Sequence, residues 1–177
     1  MLQYVLPANN APGLAAISNR SIGPGVTLNV TNVATDSDAP PQTLTFSLLA
    51  SPTNAVINTN TGVLTWRPLV TQANTTNPFT IRVADNGTLV LSATQSFLVT
   101  VTNLSKPVFS TPLMSAGQLV LQVNGDSGPD YQIQSSSNLV NWSAVFTTNS
   151  PALPFVWTNS TTGSPVNFFR TLVGPPF

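Results

Sequence analysis

The chain has 177 residues and no net charge, five lysine and arginine side chains balancing five acidic ones. Charged residues make up only 6% of it, against roughly a quarter in an ordinary soluble domain, so solubility falls to Ser, Thr and Asn. Arg20, Arg67, Arg82, Lys106 and Arg170 are scattered, which leaves no electrostatic footprint for nucleic acid.

Other residue classes are missing altogether. Without cysteine there is neither a disulfide framework nor a thiolate metal site. Without histidine a serine or threonine nucleophile lacks its usual base. Mean hydropathy is +0.18, yet no apolar run approaches the ~18 residues needed to cross a bilayer, so membrane insertion is not expected. The start, "MLQYVLPANN", lacks the charged and apolar regions of a secretory signal. An exported chain would carry its signal farther upstream.

Period-two alternation dominates from the start, and no window gives a helical repeat. "TLNV" puts Leu28 and Val30 on one face, and "TLTFSL" does the same with Leu44, Phe46 and Leu48. "GVLTWRP" offers Leu64 and Trp66, "FTIRV" offers Phe79, Ile81 and Val83, and "SFLVTV" offers Phe97, Val99 and Val101. Turn signals separate them: "GPG" at 23–25, "APP" at 39–41, "NTNTG" at 58–62 and "DNG" at 85–87. About seven short strands so spaced predict a β-sandwich.

The alternation breaks at "NLSKPVFSTP", residues 103–112, and resumes at "GQLVLQV". It continues through "YQIQ", "NWSAVF", "LPFVW" and "NFFRTLV", with turns at "NGDSGPD" and "TTGSP". The fold class expected is therefore all-β, two consecutive β-sandwich modules of Greek-key type. The boundaries read as residues 10–104 for the first module, 105–112 for a linker and 113–177 for a smaller second module. Residues 1–9 read as the remnant of an upstream module and its linker.

The first half resembles a bacterial cadherin-like, immunoglobulin-like module. The resemblance rests on "ATDSDAPPQTLTFSL", "INTNTGVLTWRP" and "FTIRVADNGTLVLSATQSFLVTV" in that order and covers roughly residues 10–103. It implies a seven-stranded sandwich used as a spacer or adhesion unit in a large secreted or surface protein. The natural partners are then neighbouring modules of the same parent chain. The second half, "GPDYQIQSSSNLVNWSAVF … PVNFFRTLVGPP", is similar to C-terminal β-modules of proteins secreted by environmental bacteria.

The resemblance also raises calcium as a cofactor. Cadherin junctions bind it through an Asp-x-Asn-Asp-Asn-Ala-Pro linker, an Asp-x-Asp pair and a later aspartate. Asp36 and Asp38 match the pair, and Asp85 in "VADNG" matches the later acid. In the linker "LPANNAP", Leu6 and Asn9 stand where aspartates would, Ala8 replaces an asparagine and Asn10 is retained. Asp36, Asp38, Asp85 and Asn10 thus form a candidate half-site for one calcium ion at the N-terminal junction. So few charges imply weak binding, toward ~10⁻⁴–10⁻³ M. The alternative is that Asp36 and Asp38 are turn residues accepting bonds from nearby backbone N–H groups. The stretch "VTNLSKPV" holds no acid, so the link between the two modules is not expected to be stiffened by calcium.

Catalysis is not expected. Asp36/Asp38 and Asp126/Asp130 lie too close in sequence to face each other across a sugar, as glycoside hydrolysis requires. Lys106 sits in the linker, remote from a role as catalytic base or in an isopeptide bond. Polysaccharide binding is the main competitor to a spacer role. Trp142, Trp157, Tyr131, Phe168 and Phe169 cluster in the second module, where an exposed aromatic strip stacks on sugars and an inward one packs a core. Alternation puts Tyr131 and Trp157 inward and leaves Trp142, in "NLVNWS", as the candidate carbohydrate residue. A third reading is self-association, with "LQYVL" as an unpaired edge strand that joins another copy. The sequons at Asn19, Asn29, Asn74, Asn86, Asn103, Asn141 and Asn159 follow from a composition rich in Asn, Ser and Thr.

Overall fold

A computed structural model describes residues 8–162, 167–175 and 177. The segment "LQYVL", linker positions Leu6 and Pro7 and most of the "TTGSP" turn lie outside the described residues. Among the described residues there is no α-helix, only the short 3₁₀ turn Val70–Gln72. The chain forms two compact units. The first takes the described residues through Ser21, Leu28–Arg67 and Thr76–Thr100, and the second takes Ile22–Thr27, Pro68–Thr75 and Val101–Phe177.

The first unit is built from β1 (Gly13–Leu14), β2 (Arg20–Ile22), β3 (Leu28–Thr31), β4 (Ala34–Thr35), β5 (Thr45–Ala50), β6 (Val56–Ile57), β7 (Val63–Trp66), β8 (Thr76–Ala84) and β9 (Ser92–Val101). β2 and β9 each end one residue past it. One sheet runs β2-β9-β8-β5 and another β3-β7-β6, with β1 and β4 paired separately. The alternating residues supply the core as a pleated strand requires. Phe79, Ile81 and Val83 of β8, Leu64 and Trp66 of β7, and Val99 and Val101 of β9 are fully buried. The ring of Trp66 meets Phe79 edge-on at 5.4 Å, and Phe79 stacks on Phe97 at 5.1 Å. The indole N–H of Trp66 is not wasted in this apolar setting, because it donates to the Thr53 carbonyl at 3.1 Å.

The second unit holds β10 (Val108–Phe109), β11 (Leu113–Ser115), β12 (Gln118–Asn124), β13 (Asp130–Ser136), β14 (Ser143–Thr148), β15 (Phe155–Ser160) and β16 (Phe168–Gly174). β12 pairs with β10 and β11 at its two ends and with β15 along its other edge. The other sheet runs β14-β13-β16. Leu121, Val123, Tyr131, Ile133 and Trp157 form the core, with Phe109, Phe146, Phe155 and Phe169 packed against it. The inward placement of Tyr131 and Trp157 agrees with the alternation of their strands.

The turn at 58–62 shows how local chemistry sets the first unit's geometry. The Asn58 side-chain oxygen accepts from the N–H groups of Asn60 and Thr61, both at 3.0 Å. Gly62 closes the turn with φ at +68°, and a Cβ there would come within 2.8 Å of the Phe46 ring. Only glycine meets both conditions. The Gly62 carbonyl in turn accepts from the backbone and side-chain nitrogens of buried Asn32, at 3.3 and 2.6 Å.

Candidate functional site

One network of polar side chains in the first unit forms where residues 8–10, the loop 36–42 and the loop 85–91 meet. Asp38 is the centre. Its carboxylate accepts from the Asn10 backbone N–H at 3.2 and 3.0 Å and from the Asn10 side-chain nitrogen at 2.6 Å. It also accepts from Gln42 Nε2 at 2.8 Å. The same Gln42 nitrogen donates to Asn9 Oδ1. Asn9 Nδ2 then donates to Asp85 Oδ2 at 3.1 Å and to the Leu89 carbonyl at 2.9 Å. A chain of amides thus runs from Asp38 through Gln42 and Asn9 to Asp85.

Asp85 is buried at the foot of β8. Its other oxygen accepts from the Gly87 N–H at 3.1 Å and the Leu91 N–H at 3.0 Å, which folds the "DNG" turn. Burial works against the charge, but the Leu91, Gly87 and Asn9 donors outweigh it and hold the carboxyl pKa below its ordinary value. Asp36 accepts from the Asp38 N–H at 3.0 Å, an Asx-type turn bond. Its second oxygen, Asp36 Oδ2, is buried without a partner, as is Gln42 Oε1.

The residues expected at a calcium half-site are therefore joined in one network, with Asn10 on Asp38, Asp36 on the Asp38 backbone, and Asp85 reached through Asn9. Among the described residues, no three acidic side chains come together as a metal-binding group. An open cleft of about 360 Å³ lies beside the network, walled by Asn9, Asp38, Pro40, Gln42 and Gly87. Asn9 and Gln42 were not legible as site residues. Asn9 reads in sequence only as a lost acid, and Gln42 lies four residues past Asp38 with no motif to mark it.

In the second unit Trp142 is half-buried, and the Arg170 guanidinium lies over its ring at 4.3 Å. Arg170 Nε donates to Gln134 Oε1 at 2.8 Å, and Gln134 Nε2 donates to Gln132 Oε1 at 2.6 Å. Register places Gln134 opposite Arg170 on the outward side of the β14-β13-β16 sheet. One face of Trp142 is thus already occupied by a side chain with no motif or spacing to pair the two in sequence. Tyr131 is a structural anchor: its hydroxyl donates to the Asp126 carbonyl at 2.7 Å. Burial, helped by the Asp126 charge, pushes its pKa up to about 12. Asp126 and Asp130 likewise accept backbone N–H groups, from Ser105 at 2.6 Å and Ser150 at 3.0 Å.

Among the described residues, packed β-sheets with no α-helix, closed over aromatic cores, define an immunoglobulin-like β-sandwich protein. The sequence pattern of the family described as "Putative Ig domain" matches residues 11–102, just over half of the chain, and the chain belongs to that family. No curated protein matches the sequence. Among solved structures, human CDH23 EC21-23 is similar at 19% identity and a TM-score of 0.47, over 68% of this chain and 48% of that one. Mouse Cadherin-23 EC22-24 is similar at 16% identity and a TM-score of 0.46, over 93% of this chain and 65% of that one. The endo-fucoidan hydrolase MfFcnA4 is similar at 18% identity and a TM-score of 0.43, over 76% of this chain and 22% of that one. The chain thus spans less than two thirds of each.

Proposed function

We propose that this chain is a non-catalytic spacer or adhesion segment of a larger secreted or surface protein, with neighbouring modules of that protein as its first partners. One observation carries the reading: the side chains that could do chemistry hold the fold instead. All five aspartates accept backbone N–H groups at loops and turns. Tyr131, Trp66 and Trp157 are in the cores.

A second reading, an accessory polysaccharide-binding segment, is favoured by the Trp142–Arg170–Gln134 row, which is exposed at Arg170 and rich in amides. The two separate in affinity electrophoresis of the full chain through gels holding neutral or acidic polysaccharides. The spacer reading expects equal mobility with and without polysaccharide. Retardation that Trp142→Ala abolishes would replace it with the binding reading. Self-association is distinguished by light scattering across a concentration series, where a constant mass excludes it.

A further inference from the structure

We infer that Asn9 and Asn10 fasten the N-terminal approach of the first unit with amide hydrogen bonds, at the place where a cadherin-like junction would use calcium, so that this junction holds without metal. The donor set carries the argument. Calcium takes oxygen ligands, six to eight of them, and a lone pair that accepts an N–H is not free for a cation. Each carboxylate oxygen offers about two lone pairs. Both Asp38 oxygens and Asp85 Oδ1 each accept two N–H bonds, which fills them. Asp85 Oδ2 and Asp36 Oδ1 accept one each and Asp36 Oδ2 none.

The amide orientations support one another. Asn9 Nδ2 faces two acceptors, the Asp85 carboxylate and the Leu89 carbonyl, so turning the amide over would set oxygen against oxygen. Its own oxygen receives Gln42 Nε2, which also faces the Asp38 carboxylate. Asn10 reaches Asp38 with backbone and side-chain nitrogens together, a two-point grip on one carboxylate. Bonds of this kind, from an N–H to an ionised acceptor, are the strong ones.

Gly87 is an independent mark of the same fitting. A Cβ at that position would overlap the Asn9 side-chain amide. The 85–87 turn therefore has room for Asn9 only because residue 87 carries no side chain. Where acids at these two positions would need a cation between them and the aspartates, the Asn9 and Asn10 amides donate hydrogen bonds to Asp85 and Asp38 and tie the segment before Pro12 to both loops.

The test is a thermal melt of the full chain in millimolar calcium chloride and in EDTA, for the wild type and for Asn9→Asp/Asn10→Asp. Wild type should melt at the same temperature in both. The double variant sets like charges against Asp85 and Asp38, so it should melt several degrees lower in EDTA and regain most of that loss in calcium. Asn10→Asp alone provides the same comparison should the double variant not fold. As a readout independent of stability, the Asn9 and Asn10 side-chain amide protons should exchange slowly with solvent in EDTA. A wild-type melting point that rises in calcium and loses the rise in Asp36→Ala would overturn the inference. So would a double variant as stable as wild type in EDTA.

Discussion

Asp85 shows how a single charge is managed where acids are scarce. Burial disfavours its ionised form, and three N–H donors more than offset that, leaving the folded pKa below the unfolded value of about 3.9. The sign follows from linkage: a depressed pKa adds stability that is complete above the unfolded value. That stability is lost as pH falls through the folded one. The stability of the wild type to denaturant should therefore fall as pH drops below about 4. Asp85→Asn should be less stable at pH 7 and show a shallower acid dependence. An acid slope unchanged in Asp85→Asn would mean that other carboxylates carry it. In sequence, Asp36, Asp38 and Asp85 group as a candidate calcium half-site, with a turn role for Asp36 and Asp38 as the alternative. The Asn9, Asn10 and Gln42 amide donors to Asp38 and Asp85 were not legible, because an amide side chain reads alike whether it offers its oxygen or its nitrogen.

At the scale of elements, alternation located the long strands well. β7, β8, β9, β12 and β13 bury the residues their period-two pattern places inward. Short strands such as β1, β4, β6 and β10, each two residues long, left no trace in the pattern. Two residues cannot show a period of two, and their pairing is decided by what lies opposite. The "NTNTG" turn was legible because its chemistry is local. Asn58→Ala removes the acceptor for two backbone N–H groups and should cost roughly 1–2 kcal/mol. Gly62→Ala must hold a left-handed backbone against the Phe46 ring and should cost about 2 kcal/mol or more. Urea unfolding of both variants checks the order, and equal losses would mean that the turn relaxes around the added methyl.

For the molecule as a whole, each unit closes over its own aromatic centre, Trp66 and Phe79 in one, Trp157 and Tyr131 in the other. Trp66→Ala and Trp157→Ala should each cost on the order of 3–5 kcal/mol, whereas Trp142→Ala, at a half-buried position, should cost far less. Amide hydrogen exchange gives the spatial check. Trp66→Ala should speed exchange in β7, β8 and β9, and Trp157→Ala in β12, β13 and β15. An even loss of protection under either substitution would show that the two cores are not separate stabilising centres.

The sequence by itself determined the all-β class, the inward faces of the long strands, the aromatic cores and the turns, because pleat period and backbone preference act between near neighbours. Tertiary structure decided the rest. It brought Asn9 to Asp85 and Asn10 to Asp38 across 76 and 28 residues of chain, and laid Arg170 over Trp142 from a strand that follows it by 28 positions. A hydrogen bond or a stacked cation depends on angstroms and on which atom points inward. Residue order carries neither until the sheets have closed.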